Sequence, residues 1–256
     1  MNEARGVNHR AQGHDLLRDK VVVVTAAAGT GIGSAVARRA LEEGATVVVS
    51  DWHERRLAAT ASDLGVKAIP CDVTAEEQVR ALVDGTVAEY GRLDVMINNA
   101  GLGGTRSVLE MTDDEWSRVL DVTLNGTFRC TRAALRQMVA QGGGAVVNNA
   151  SVVGWRAQEG QAHYAAAKAG VMALTRCAAM DVAAHGIRVN AVAPSLAMHP
   201  HLAKVTSEEL LRELTAREAF GRSAEPDEVA NVMVFLASDL ASYLTGEVIS
   251  VSSQHP

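Results

Sequence analysis

The chain has 256 residues, of which 48% are hydrophobic and 21% are charged, with a formal net charge of -6 at pH 7. This composition suits one α/β domain with a sizeable core, and the negative charge with scattered Lys and Arg excludes a nucleic-acid footprint. No apolar run is long enough for a membrane span. The 3 cysteines are far apart and lack Cys-x-x-Cys spacing, so we expect no metal site and a reduced cytoplasmic compartment.

The chain begins with a polar stretch that lacks the apolar segment of a signal peptide. We interpret residues 1–19 as a flexible N-terminal arm, which could pack on a neighbouring subunit.

The β-branched run Lys20–Thr25 predicts a strand buried on both faces, as at the centre of a parallel sheet. Small residues follow in Ala26–Gly33, and then a helix from Ser34 to Glu43 that Gly44 ends. At such a turn the backbone can approach a pyrophosphate, which the free amides and dipole of the helix N-terminus attract. Many glycine-rich turns only reverse the chain, but this context favours dinucleotide binding.

The second strand, Ala45–Ser50, ends at Asp51. A carboxylate roughly twenty residues after the glycine turn can bind the adenosine ribose hydroxyls and repel a 2′-phosphate, which favours NAD(H) over NADP(H). Two alternatives stay open. Asp51 could simply be the N-cap of a helix that begins near His53, and Arg55 and Arg56 could still receive a phosphate.

The third and fourth strands bring further residues to the same edge of the sheet. Val66–Pro70 predicts the third strand and places Asp72–Val73 beside the adenine, after which Thr74–Glu77 has the pattern of a capping box. The fourth strand, Leu93–Ile97, runs into Asn98–Gly101. These residues tolerate the tight backbone needed near a flat cofactor, although a plain turn would use them too.

Two long helices are predicted in the second half. The first begins at Thr112, with an N-cap and an acidic first turn, and continues to about Gln141. The second runs from Tyr164 to about Ala184, with Gly186 as its stop, and is mostly Ala, Met and Leu. One sheet can bury only one side of such an apolar helix. We therefore expect both helices to pack against partner subunits in a homotetramer, unless the chain's own loops cover them.

Three side chains with complementary chemistry meet near the start of the second of these helices. Residues 143–150 predict a turn and a buried fifth strand, which puts Ser151 at the carboxyl end of that strand, where open parallel sheets bind ligands. Tyr164 and Lys168 are four residues apart at the head of the helix, so a phenol and an ammonium share one face.

The remaining elements complete the pattern. Ile187–Val192 predicts the sixth strand, and an amphipathic helix begins at Thr206, so we expect a substrate lid at about residues 195–220. The last long helix begins at Glu225, and Glu247–Val251 is the seventh strand. The alternation predicts a single Rossmann-type, doubly wound α/β domain, with a seven-stranded parallel sheet and helices on both faces.

From about Lys20 onward, the chain resembles the short-chain dehydrogenase/reductase family, whose serine, tyrosine and lysine correspond to Ser151, Tyr164 and Lys168. The family's Asn-Asn-Ala-Gly, acidic residue and Asp-Val also match in order and spacing. The resemblance implies that residues 20–256 form a dinucleotide-binding oxidoreductase domain, which transfers a hydride between NAD(H) and a secondary alcohol or ketone.

The resemblance also implies roles for individual residues. Tyr164 as phenolate would take the hydroxyl proton, Ser151 would hold the substrate oxygen, and Lys168 would favour the phenolate and hold the nicotinamide ribose. The implied cofactor-binding residues are Thr25, Gly29, Thr30, Gly31, Ile32, Gly33, Asp51, Asp72, Val73, Asn99, Ala100, Gly101, Tyr164, Lys168, Pro194 and Ser195.

Three departures from the family pattern change these expectations. Ala26 replaces the first glycine of the turn, which is also one residue longer, so the phosphate contacts should shift. Thr123 stands where the family places a fourth catalytic residue, an Asn, with Asn125 two positions on, which calls the water-mediated proton relay into question. Pro194–Ser195 and His199 replace the usual Pro-Gly and a later Thr, which alters the contacts near the nicotinamide carboxamide.

These variants resemble a subgroup often labelled 3-oxoacyl-carrier-protein reductase. Members of it act in bacterial steroid breakdown, on a hydroxyl of a CoA-linked indane ring, which implies an acyl-CoA or steroid-derived ring substrate. Leu102, Gly103 and Gly104 are candidate walls for an apolar ring. Two alternatives are a 3-oxoacyl-thioester reductase of fatty-acid type and a non-catalytic NAD(H)-binding sensor or scaffold.

Overall fold

The computed structural model describes residues 13–198 and 208–253. Its strands are β1 (Val21–Val24), β2 (Thr46–Val49), β3 (Lys67–Ala68), β4 (Val95–Asn98), β5 (Gly144–Asn149), β6 (Ile187–Pro194) and β7 (Val248–Val251). They form one parallel sheet in the order β3-β2-β1-β4-β5-β6-β7. The predicted seven-stranded, doubly wound sheet is confirmed.

Helices cover both faces of the sheet. They are α1 (Ile32–Glu42), α2 (Glu54–Leu64), α3 (Glu76–Tyr90), α4 (Asp113–Leu120), α5 (Gly126–Gln141), α6 (Ala162–Val182), α7 (Glu208–Ala216) and α8 (Pro226–Ala237). In the two described stretches, none of these helices has the length and apolar character to cross a bilayer. The start of the amphipathic helix predicted at Thr206 lies outside the described residues.

The sheet separates two hydrophobic cores, and the valines of β1 enter both. Val22 and Val24 pack into the core beneath α1 and α8, whereas Val23 packs into the core beneath α3, α5 and α6. This is why β1 has no polar side chain and reads as a continuous apolar run. The chain reverses its direction of winding between β1 and β4, and ligands bind at the carboxyl ends of strands at such a point.

The single helix predicted from Thr112 to about Gln141 is instead two helices. Thr112 forms the predicted N-cap, in a capping box with Glu115, but a π-helical segment, Asp121–Asn125, separates α4 from α5. After this segment α5 comes so close to Val73 that a Cβ on Gly126 would lie 2.6 Å from Val73 Cγ2. Thr123 in this segment bonds the loop at Leu102, so the segment depends on a distant part of the chain and the sequence does not reveal it.

The capping box predicted at Thr74 is wrong. Ala75 is the N-cap of α3 and its side chain makes no capping hydrogen bond. The hydroxyl of Thr74 donates instead to Asp72 Oδ1 at 2.8 Å, and the amide of Asp72 donates to Gln78 Oε1 at 2.8 Å. The aspartate two residues earlier therefore competes successfully for the threonine.

Part of the predicted flexible arm lies in the described residues and packs on α1. Leu17 is buried, and the amides of His14 and Leu16 donate to the buried carboxylate of Glu43 at 2.7 and 3.0 Å. Arg39 pairs with the same carboxylate. A flexible arm therefore stays a prediction only for residues 1–12, which lie outside the described residues.

Candidate active site

The turn after β1 is fixed to the neighbouring strands by its backbone. Ala28 N donates to Asp51 Oδ2 at 3.2 Å, and Gly29 N donates to Thr60 Oγ1 at 3.0 Å. Asn99 Nδ2 donates to the carbonyls of Thr25 and Ala26 at 3.3 and 3.1 Å. The turn is thus held in shape from both sides by β2 and β4.

Gly33 lets α1 pack closely beneath this turn. A Cβ at Gly33 would lie 2.3 Å from the carbonyl oxygen of Ala26 and 2.6 Å from Asn99 Nδ2. Both distances are far shorter than normal contacts, so the turn and the start of the helix have room only for glycine here. Such close packing of turn and helix is a feature of dinucleotide-binding sites.

Ala26, which replaces the first family glycine, has φ 49°, in the left-handed region that an L-residue with a Cβ disfavours. We predict that Ala26→Gly raises the free energy of unfolding by about 1 kcal/mol, measured by urea denaturation. The neighbouring Ala27→Gly is the control. Ala27 is fully buried and is not among the residues with positive φ, so this change should lower stability. Equal losses in both variants would contradict the strain at Ala26.

Asp51 is buried at the end of β2 and supports the turn. Its Oδ1 accepts a hydrogen bond from His53 N at 2.9 Å, in addition to the Oδ2 contact with Ala28. The alternative that Asp51 is the N-cap of α2 is wrong, because His53 takes that position and its Nδ1 accepts from Arg56 N at 3.4 Å. Arg55 and Arg56 are exposed near the start of α2.

Ser151, Tyr164 and Lys168 converge beyond the carboxyl end of β5. Tyr164 and Ser151 are joined by a side-chain hydrogen bond, and Ser151 Oγ also lies 3.4 Å from the carbonyl oxygen of Pro194. Lys168 Nζ is 5.5 Å from the centre of the Tyr164 ring and donates to the carbonyl oxygen of Asn149. The structure therefore brings these three side chains together at one edge of the sheet.

Burial opposes ionisation of both the tyrosine and the lysine. It raises the pKa of Tyr164 from 10 to about 12, although the hydrogen bond from Ser151 acts in the other direction. It lowers the pKa of Lys168 from 10.5 to about 7, because the ammonium is almost completely removed from water. The expected lowering of the tyrosine pKa by Lys168 is thus not found in the chain by itself.

The lysine gives a pH-dependent stability without bound nucleotide. Because its folded pKa of about 7 is below the unfolded value of 10.5, the unfolded chain binds more protons between these values, and stability rises with pH there. We predict that Lys168→Met reduces this rise, measured by urea denaturation at pH 7, 8 and 9, by up to about 1.4 kcal/mol per pH unit.

The control for this measurement is Lys67→Met, which removes an exposed lysine paired with Glu89. Its pH dependence should follow the wild type. A wild-type slope that survives in Lys168→Met would contradict the burial of an easily deprotonated lysine.

Thr123 lies in the π-helical segment and its hydroxyl is fully engaged by the loop after β4. Thr123 Oγ1 accepts from Leu102 N at 2.9 Å and donates to Leu102 O at 3.1 Å, while the carbonyl of Thr123 accepts from Thr127 Oγ1 at 2.8 Å. The residue is completely buried. Thr123 therefore holds the loop after β4 in place, and both hydrogen bonds of its hydroxyl go to the backbone of Leu102.

Two residues outside the predicted catalytic and cofactor-binding sets, Asn149 and Gln161, hold parts of this region together. The carbonyl oxygen of Asn149, at the end of β5, accepts a hydrogen bond from the ammonium of Lys168. The side-chain Nδ2 of Asn149 donates to Asn99 Oδ1 at 2.9 Å. Gln161 Nε2 donates to Gly104 O at 2.7 Å and so joins the start of α6 to the loop after β4. The pair of polar residues Asn148 and Asn149 at the end of an apolar run was the available signal for Asn149.

The predicted cofactor-binding residues all follow the carboxyl ends of strands or begin α1 and α6. They lie after β1 (Thr25, Gly29, Thr30, Gly31, Ile32, Gly33), after β2 and β3 (Asp51, Asp72, Val73), after β4 (Asn99, Ala100, Gly101), in α6 (Tyr164, Lys168) and at the end of β6 (Pro194, Ser195). His199 lies outside the described residues.

Comparison with known proteins gives consistent matches over nearly the whole chain. Residues 26–253 match the family described as Enoyl-(Acyl carrier protein) reductase. The chain is 65% identical over 251 residues to a Mycobacterium tuberculosis protein named (5R,7aS)-5-hydroxy-7a-methyl-1-oxo-2,3,5,6,7,7a-hexahydro-1H-indene-carboxyl-CoA reductase, over 95% of this chain and 96% of that one. It is 44% identical over 238 residues to cis-4-hydroxycyclohexanecarboxylate dehydrogenase of Sinomonas cyclohexanicum, over 91% and 95% of the two chains.

The fold agrees with the same assignment. The crystal structure of a short chain dehydrogenase from Mycobacterium smegmatis matches with a TM-score of 0.86 and 57% sequence identity, over 96% of this chain and 97% of that one. The chain therefore belongs to the short-chain dehydrogenase/reductase family of oxidoreductases, which use a nicotinamide cofactor.

Proposed function

We propose that this protein is an NAD(H)-dependent oxidoreductase that interconverts a secondary alcohol and a ketone on a CoA-linked ring substrate. The observation that carries the proposal is the convergence of Ser151, Tyr164 and the buried Lys168 at the same sheet edge as a glycine turn that packs so closely on α1 that position 33 has no room for a side chain. A tyrosine and lysine on an exposed helix face would be ordinary surface residues. Here both are packed at the ligand-binding edge of the sheet.

The residues at this edge fit a dinucleotide. The close contact at Gly33 brings the turn against the N-terminus of α1, which would attract a pyrophosphate, and Ser195 Oγ is buried with no hydrogen-bond partner among the residues the structure describes. The turn, Asp51 and Asp72–Val73 would hold the adenosine and phosphates, while Lys168 and Ser195 would hold the nicotinamide end. When bound, the nicotinamide supplies the site that accepts or donates the hydride.

Tyr164 would move the proton. In alcohol oxidation its phenolate oxygen removes the proton of the substrate hydroxyl, and in ketone reduction its hydroxyl returns a proton to the developing alkoxide. Ser151 donates a hydrogen bond and steadies the substrate oxygen as its charge changes. The pKa of about 12 in the chain alone is too high for this base, so Tyr164 needs a positively charged Lys168 and the positive charge of the oxidised cofactor.

Asp51 supports a preference for NAD(H). It is a buried carboxylate at the end of β2, tied to the glycine turn through Ala28 N, and its negative charge would face the adenosine ribose. A 2′-phosphate there would meet that charge at short range. Arg55 and Arg56 are exposed and on the next helix, which makes NADP(H) the less favoured cofactor.

The substrate proposal rests on the two named relatives, which act on a hydroxylated ring that carries a carboxyl group or its CoA thioester. The loop after β4 lies against the start of α6 at this point. A Cβ on Gly103 would lie 3.8 Å from the Tyr164 ring, and a Cβ on Gly104 would lie 3.4 Å from His163 Nε2. Trp155, four residues after Ser151 in the sequence, has 42% of its surface exposed.

A panel of candidate substrates tests this function. Reduction of NAD+ or NADP+ would be followed by the absorbance of the reduced cofactor, with cyclic hydroxyacyl-CoAs, straight-chain 3-hydroxyacyl-CoAs and free secondary alcohols as substrates. We expect the cyclic CoA esters with NAD+ to give the highest kcat/KM. Faster turnover of straight-chain thioesters would favour the fatty-acid alternative, and binding of NAD(H) without any turnover would favour the sensor.

We also propose a homotetramer in the cytoplasm. The apolar side chains of Phe128 on α5 and Met180 on α6 are 41% and 78% exposed in the single chain, as expected if these helices meet partner copies. Light scattering coupled to size exclusion would measure the mass of the assembly.

A further inference from the structure

Asn149 connects the two halves of the candidate site. Its carbonyl oxygen accepts a hydrogen bond from the ammonium of Lys168, and its Nδ2 donates to Asn99 Oδ1 at 2.9 Å. Asn99 Nδ2 in turn donates to the carbonyls of Thr25 and Ala26 in the glycine turn. Asn149 therefore lies between the turn, which would hold the phosphates, and the lysine, which would hold the ribose.

The remaining polar atom of this side chain has no hydrogen-bond partner within residues 13–198 and 208–253. Asn149 Oδ1 is buried, and none of the described residues donates to it. Buried amide oxygens in folded proteins are nearly always paired, and an unpaired one calls for a specific explanation such as an absent ligand.

The hydrogen bonds fix which atom of the Asn149 amide is the oxygen. Asn99 faces two carbonyl oxygens, so its nitrogen must point toward them and its oxygen toward Asn149. Asn149 must then present its nitrogen to Asn99. If the nitrogen and oxygen of the Asn149 amide were exchanged, its oxygen would face the oxygen of Asn99. If those of Asn99 were exchanged as well, the Asn99 oxygen would face the two carbonyl oxygens of the turn. The unpaired atom of Asn149 is therefore an oxygen, which needs a hydrogen-bond donor.

The nicotinamide half of a dinucleotide offers two kinds of donor, the ribose hydroxyls and the carboxamide N–H groups. The ribose hydroxyls are the partners we assign to Lys168, which Asn149 contacts through its main chain. Its side chain points instead toward Asn99 and the glycine turn. We propose that Asn149 Oδ1 accepts a hydrogen bond from the carboxamide NH2 of the nicotinamide. This inference rests on the proposed function and makes Asn149 a cofactor-orienting residue.

Two cofactor analogues test it by binding alone. In the 3-acetylpyridine analogue of NAD+ a methyl group replaces the carboxamide NH2, and ADP-ribose lacks the nicotinamide. Dissociation constants would be measured by calorimetry for wild type, for Asn149→Leu, and for the control Asn125→Leu, whose side chain is exposed in the π-helical segment.

We expect wild type and Asn125→Leu to bind NAD+ at least about five-fold more tightly than the acetylpyridine analogue, since an unpaired buried acceptor is unfavourable. Asn149→Leu should bind the two alike and bind ADP-ribose as wild type does, which would show that its turn is intact. Equal affinity of the wild type for NAD+ and the acetylpyridine analogue would overturn the inference, and this result does not require Asn149→Leu to fold. The inference would also be overturned if Asn149→Leu preferred NAD+ over the analogue as strongly as the wild type does. Failure of wild type to bind any dinucleotide would instead refute the proposed function.

Discussion

Replacing Tyr164 by Phe should lower kcat for alcohol oxidation by about 100- to 10 000-fold, the usual range for loss of a general acid or base. The variant lacks only the hydroxyl that would exchange a proton with the substrate. Its ring still packs against the loop at Gly103, so the fold and the cofactor site should be preserved. The measurement is NADH formation at saturating substrate, with the affinity for NAD(H) determined in parallel.

The matched control is Tyr243→Phe, because Tyr243 is fully exposed and distant in sequence from the site. It should retain wild-type kcat. If Tyr164→Phe kept more than about half of the wild-type kcat, the assignment of Tyr164 as the proton-transfer group would have to be abandoned.

Gly33→Ala should have the second large effect. The added methyl would overlap the Ala26 carbonyl and Asn99 Nδ2, at 2.3 and 2.6 Å, so the turn must move and its hydrogen bonds to Asn99 must break. Overpacking of this kind lowers the free energy of unfolding by about 1–3 kcal/mol. Because the turn would hold the pyrophosphate, we also expect NAD(H) affinity to fall by at least about ten-fold.

Gly85→Ala provides the comparison, since Gly85 is also a helical glycine but lies in α3. A Cβ there meets only the end of the Ile69 side chain, at 3.3 Å, which can move. This variant should keep wild-type NAD(H) affinity and gain helix propensity. Urea denaturation and calorimetric titration of both variants would decide the matter; similar behaviour of the two would show that the turn is not a tightly packed cofactor cradle.

The sequence predicts the sheet well because its strands are buried on both faces. The apolar residues of β1 and β5 could not all be buried in an edge strand or on one face of a surface helix, so both runs predict central strands. Each run is followed by residues that we assign to the candidate site. The three site residues follow from the same logic. Once β5 is placed, Ser151 must lie at its carboxyl end, and the spacing of Tyr164 and Lys168 defines one face of α6.

The parts that the sequence does not predict depend on contacts between distant segments. The π-helical segment at Thr123 is coupled to the loop of Leu102, and nothing within residues 112–141 signals it. The competition of Asp72 for Thr74 and the bridge from Asn149 to Asn99 are likewise visible only after the chain has folded. Local patterns define elements, whereas the pairing of polar side chains requires their positions in space.

Burial also reverses a simple electrostatic expectation. A lysine one helical turn from a tyrosine is expected to lower the tyrosine pKa, yet the packed site raises it, and makes the lysine easier to deprotonate. The pair is therefore poorly prepared for proton transfer in the chain alone. In our account the positive charge of the bound oxidised cofactor completes it, so that base catalysis should depend on occupancy of the cofactor site.

Transfer of an isotopic label tests the central claim most directly. A cyclic hydroxyacyl-CoA that carries deuterium on its carbinol carbon would be oxidised by the protein with NAD+, and the reduced cofactor analysed by nuclear magnetic resonance. We predict that the deuterium is found on C4 of the nicotinamide and none is lost to water, while the hydroxyl proton exchanges with solvent. Release of the carbinol deuterium to water, or oxidation without labelled cofactor, would contradict hydride transfer at this site.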